Sequence, residues 1–369
     1  MTPSRVHTSP RSFALVGLVL GAAFGGACRK PPPPAQDRIL RFFPGDARAV
    51  ASVDLAAMRA SVVWQRLSAL GQDAPADRRM LAEMAERTGT DALQDLGRLV
   101  VAVPEDARTR GAFGLVVEAA TGKTFDEKRL VTFARDRAAL AGNQIVMKSH
   151  AGRRLWVGGD GSAGFFPDDR TFVMGGGGWA EVMAELNAGQ GGGPTRRSAA
   201  DSPELSRFCE RVSRREGGSE KAVWVAALMP AAERRALMAD PRFEAAAAIN
   251  RLGLALEPGA GLDLDVVAEF STAEDAREMA GLIEALVREA KGDPRVLLLG
   301  VGPYLAGVSS AARGPTLRLG LSLTSAQISD LMDRLEAALR LSRRKKALAV
   351  PGSGVPDAGL TSPGADASR

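Results

Sequence analysis

Three carboxylates have spacing that could do chemistry. Asp263 and Asp265 lie two apart in GLDLDVVAEF, and Glu269 keeps the same parity. Side chains two apart on a strand share a face. Such a row could hold a hard cation, act as an acid and base, or meet a partner. Leu262, Leu264 and Val266 take the other parity, and a solvent face opposite an apolar one gives the same pattern. Asp263, Asp265 and Glu269 therefore stand as candidate ligand or partner contacts, and no metal or cofactor is expected.

Other chemistry is thinly supplied. The two histidines are His7 and His150. A Ser or Cys nucleophile with a His base would have to use His150, in the turn-like KSHAGRR. Gly175 to Gly178 join a strand pattern to a helix pattern, where phosphate can meet a helix N-terminus. The P-loop needs a Lys-Ser/Thr pair there, and Trp179-Ala180 stand in its place. Gly307-Val-Ser309-Ser-Ala311 lacks the second glycine of a nucleophile elbow. Ser342-x-x-Lys345 lies in a basic helix end without a companion motif. Cys209 sits near Leu205, Phe208 and Val212 at helical spacing, which reads as a buried thiol. No catalytic set emerges, and a non-catalytic role is favoured over a hydrolase.

The elements that would position these residues are strands and amphipathic helices in alternation. Residues 49–54, 98–103 and 113–118 read as strands, and 76–87 as a helix. Leu252, Leu254 and Leu256 alternate, as do Leu262, Leu264 and Val266, with a turn at Pro258-Gly259. Thr124-x-x-Glu127, Ser271-x-x-Glu274 and Thr324-x-x-Gln327 read as capping boxes. Ser202-Pro203 reads as an N-cap followed by proline at the first helical position. In the last helix Ile328, Leu331, Leu335 and Leu339 are expected to be buried. The pattern predicts an α+β fold. It comprises two related lobes of mainly antiparallel sheet with helices packed on one face, suggesting an internal duplication. Lobe 1 spans 38–190, a Gly-rich linker 191–200, lobe 2 201–346, and a Pro/Gly/Ser-rich disordered tail 347–369. A carboxylate face left uncovered on such sheets would line a groove between lobes.

The N-terminus bears on location. Arg5 and Arg11 precede an apolar run over 13–24. That run is shorter than the roughly 20 residues of a spanning helix and fits the apolar region of a signal peptide. Gly25, Gly26 and Ala27 lead to Cys28, and RKPPPPAQ follows as an extended tether. The small-residue run ending in Cys resembles the lipobox of bacterial lipoproteins, with Gly25 where that family usually has Leu. The resemblance implies a signal peptide over 1–27, lipid on Cys28, and a lipidated tether over 28–37. Gly25 and Ala27 also satisfy ordinary signal cleavage, which cuts at the same bond. With the FPGDARAVASVDL opening and the hairpin–helix pattern, the chain resembles lipoproteins of Gram-negative envelopes with strand–helix ectodomains.

That resemblance implies export to the cell envelope, anchored in the outer or inner membrane by the N-terminal lipid. It brings no activity with it. The expected role is scaffolding or interaction with an envelope protein or cell-wall partner, and the alternative is a periplasmic carrier for a lipophilic ligand. The formal charge of +5 is modest, and part of it lies in the leader and at Arg343 to Lys346, so no nucleic-acid partner is expected.

Overall fold

The computed structural model describes residues 35–65, 75–188, 196–215, 219–238, 245–294 and 302–334, with 296, 300 and 337. The leader, Cys28, the proline run, most of the expected linker, Leu335, Leu339, Ser342, Lys345 and the tail lie outside the described residues. The described residues up to Ile328 cluster as one compact unit and those from Ser329 as a second. The described start of the second unit is helical, and Arg334 donates to Asp330 across one turn at 3.0 Å.

The first half of the chain contributes β1 (Ala47–Asp54), β2 (Leu96–Pro104), β3 (Phe113–Ala119), β4 (Ile145–His150), β5 (Arg153–Gly158), β6 (Ala163–Asp168) and β7 (Thr171–Gly176). The second contributes β8 (Val223–Leu228), β9 (Ile249–Pro258), β10 (Gly261–Phe270), β11 (Val308–Arg313) and β12 (Thr316–Thr324). All twelve form one antiparallel sheet in the order β11-β12-β10-β9-β8-β1-β2-β3-β7-β6-β5-β4. The helices are α1 (Ala35–Leu40), α2 (Leu55–Met58), α3 (Pro75–Thr88), α4 (Ala107–Arg110), α5 (Glu127–Leu140), α6 (Trp179–Ala188), α7 (Pro203–Ser213), α8 (Ala231–Met238), α9 (Ala273–Gly292) and α10 (Gly302–Leu305).

The fold is α+β with antiparallel strands. The two expected lobes remain contiguous blocks of strands, but they do not keep separate sheets. β1 pairs with β8, Ala51 opposite Val225, and fuses the blocks. An unpaired first strand would leave a row of open N–H and C=O groups, and this pairing satisfies both rows at once. Each block follows the same course. β1–β2–β3 and β8–β9–β10 are meanders; α5 and α9 follow; then β7 returns to β3 and β12 returns to β10.

Helices lie on both faces rather than one. α6 and α7 pack with Val50, Val100, Val116, Trp224 and Val267 in one cluster. α9 packs on the other face, its Ala276 and Ala280 against Ala268, Phe270 and Leu317. The reason lies in the central strands. β1 to β3 carry buried apolar residues at both parities: Val50 and Val53, Val100 and Leu99, Val116 and Val117. Such strands need cover on each side, and antiparallel pairing does not change that.

Local signals set the helix starts. Ser202 caps α7 and Pro203 follows at the first position, as expected. Thr324 and Gln327 exchange hydrogen bonds between side chain and backbone. Two caps differ: α5 is capped by Asp126, which accepts from the Arg129 amide at 3.0 Å, and α9 by Thr272 with Asp275 rather than Ser271 with Glu274. Ile328 is buried, whereas Leu331 is 44% exposed.

Candidate functional site

The expected carboxylates do share a face, as their parity requires. It is the face that α7 covers. Glu269, 6% exposed, contacts both Arg251 and Arg211. Arg251 also reaches Glu204 at 2.8 Å. Asp265 pairs with the buried Lys221. Asp263 is exposed and accepts a hydrogen bond from Ser322 Oγ at 2.6 Å. Glu257, opposite Asp263, pairs with Arg215 and accepts the Ala222 amide at 3.2 Å. Burial raises the Glu257 carboxyl above the ordinary range, with Arg215 opposing. The row is thus engaged within the chain rather than presented as a free polar face. Among the described residues no group of three or more His, Cys, Asp or Glu could hold a metal ion.

Sequence reasoning placed the carboxylates and missed their cations. Arg251 was within reach of the hairpin register, because Pro258-Gly259 puts it directly opposite Glu269. Arg211 and Arg215 were not, because they come from α7 and the segment just after it, which land on the sheet from elsewhere in the chain. Arg211, Arg251 and Glu269 border a cleft of about 580 Å³ at the ends of β8 to β10. Arg251 and Glu269 lie beside Arg211, Glu204, Arg48 and Arg234 in its lining. Removing one of the arginines would strand Glu269, the buried member of this network, in a poorly solvated place.

The opposite face is different. Cross-strand register lines up Leu115, Val101, Ala51, Val225, Leu254, Val266 and Leu319, from β3 to β12. Val225 is 36% exposed and the neighbouring Leu252 38%. The rest of the row is only half-buried. Leu115 and Leu254 pack against the cluster that includes Trp64, and Leu319 against that of α9, so the exposed part of the row centres on Val225 and Leu252.

The remaining candidates find structural explanations. His150 Nε2 lies 3.0 Å from Glu185, which also takes Arg196 at 2.7 Å. At the Gly175 to Gly178 turn, Gly177 and Gly178 have φ of +58° and +85°. A Cβ on Gly175 would lie 2.7 Å from the Ala180 nitrogen, so the glycines permit a tight strand-to-helix junction. Cys209 is fully buried, and burial pushes its thiol up to about 12. Cys28 lies outside the described residues.

No family model matches the chain, and no curated protein matches it. Among solved structures, crystal form I of TP0453 is similar with a TM-score of 0.38 and 9% identity, over 80% of this chain and 96% of that one.

Proposed function

We propose that this chain is an exported, lipid-anchored envelope protein that acts by binding rather than catalysis. Its contact surface is the half-exposed apolar row centred on Ala51 and Val225, and its occupant is an acyl chain. The row is the observation that carries the reading. The choice of occupant follows from place. A lipid on Cys28 and an extended tether over residues 29–34, ending where α1 begins at Ala35, would hold the domain within roughly 20 Å of a bilayer, so hydrocarbon is the nearest apolar partner. This is the carrier role. A scaffold for an envelope protein or cell-wall polymer would use the same row and is the competing outcome.

Two measurements test it. Metabolic labelling with a fatty-acid probe should mark the wild type and not Cys28→Ala; an unlabelled wild type would remove the anchor. A fluorescent fatty acid titrated into purified, lipid-stripped protein should bind, and Val225→Glu should weaken it about tenfold or more. That figure follows from losing one valine contact worth about 1.5 kcal/mol and placing a charge against hydrocarbon. Absence of fatty-acid binding, with a stoichiometric protein partner in native mass spectra, would replace the carrier with the scaffold.

A further inference from the structure

The cleft at the ends of β8 to β10 has an uneven charge balance. Four arginines, Arg48, Arg211, Arg234 and Arg251, face three glutamates, Glu105, Glu204 and Glu269. The glutamates are all taken. Glu105 lies 3.8 Å from Arg48, Glu204 pairs with Arg251, and Glu269 sits between Arg251 and Arg211. Arg234 is the surplus cation. It is half-buried on the first turn of α8, and its Nη1 donates to the neutral amide oxygen of Asn250 at 2.6 Å. Its Nε is buried with no hydrogen-bond acceptor. Among the described residues no carboxylate pairs with it.

A guanidinium withdrawn from water strongly favours an anionic partner, and its planar fork of donors fits an oxyanion. Pro230 and Ala231, where α8 begins, also border the cleft, and that end of a helix adds positive potential. Asn250 is held in turn by Ser271, to whose Oγ its Nδ2 donates at 3.1 Å. The amide therefore fixes the direction of the guanidinium without neutralising it.

The geometry points to an oxyanion-binding site at Arg234, taking a phosphate group either as free phosphate or as an anionic lipid headgroup. The site lies apart from the apolar row and stands or falls independently of it. The probes are inorganic phosphate and water-soluble dihexanoyl phosphatidylglycerol, each titrated calorimetrically into the full mature chain at low ionic strength. Binding should be detected, should weaken with added salt, and should fall about tenfold or more in Arg234→Gln. Arg235→Gln, exposed on the same helix, should bind like the wild type. Asn250→Asp keeps the arginine and gives it an internal carboxylate, so it should also weaken binding. This covers the case in which Arg234→Gln folds poorly. Tighter binding of the phosphatidylglycerol assigns the site to a headgroup, and equal or tighter binding of phosphate assigns it to the free anion. A wild type that binds neither probe overturns the proposal, as does an Asn250→Asp chain that binds as well as the wild type.

Discussion

Cys209 gives a direct measure of how α7 is packed and of what happens at Cys28. It sits on α7 with Leu205, Phe208 and Val212, all fully buried. Thiol reagents attack as the thiolate reacts. At about pH 8 an ordinary thiol is roughly one-quarter thiolate. With its thiol pushed up to about 12, Cys209 is thiolate in only about one molecule in ten thousand. The ratio is about 2,000-fold before any steric hindrance. Native protein treated with dithionitrobenzoate should therefore react more than about a thousandfold slower than a free thiol, and concentrated guanidinium should abolish the protection. The same end point counts thiols. The sequence holds two cysteines. A diacylglyceryl thioether on Cys28 leaves one titratable thiol in the unfolded mature chain, whereas cleavage without lipid leaves both. Rapid reaction of the native protein would refute the burial of α7, and two thiols would refute lipidation.

Two further perturbations test the packing and electrostatics beneath α7. A Cβ at Gly253 would overlap Val212 Cγ2 and lie 3.3 Å from Phe208 Cζ. Gly253→Ala should cost about 1–3 kcal/mol by overpacking, read as a lower urea midpoint, while Gly259→Ala, with open space around it, should not. At Glu257 burial raises the carboxyl above its unfolded value. The linked stability is present below the unfolded value and lost as pH rises through the folded one. Glu257→Gln should therefore gain stability relative to the wild type as pH rises above the ordinary carboxylate range. A variant that loses ground there would show that the Arg215 pairing outweighs the burial.

The parts of the fold that local chemistry determines were legible. The hairpin around Pro258-Gly259 has the register its alternation requires, with Leu264 opposite Leu256 and Val266 opposite Leu254. The misplaced caps show where local reading runs out. Asp126 displaces Thr124 because a carboxylate sits closer to the helix it opens. Ser271 yields to Thr272 in a setting where its hydroxyl accepts from Asn250 at 3.1 Å. Asn250 is distant in sequence, so that competition is invisible in a short window. The surroundings of the carboxylate row were out of reach in the same way. Its parity was readable, but its pairing depends on Arg211 of α7 and Arg215 just beyond it. Arg234 was missed because a surplus cation appears only after every pair in the cleft is known.

The join between β1 and β8 sets how the two blocks of strands share their surfaces. An antiparallel pair has local twofold symmetry about the sheet normal. Joining the blocks first strand to first strand therefore sets equivalent elements on the same face. α9 packs there with Ala268 and Leu317, and Leu130 of α5, with Phe125 just before that helix, joins the cluster that includes Leu264. Between them the row from Leu115 to Leu319 crosses the seam at Ala51 and Val225. Neither block alone carries it. β3 to β1 would present three of its residues and β8 to β12 four, each ending at an open strand edge. The charged face does not repeat in this way. Glu257, Asp265 and Glu269 belong to β9 and β10, and their partners are Arg215 just after α7, Lys221 before β8, and Arg251 of β9 with Arg211 of α7. The apolar row thus crosses the join, while the ion-pair cleft takes Arg48 and Glu105 from the first block and its other charged residues from the second; the two share no residue, so one can be altered by substitution with the other left intact.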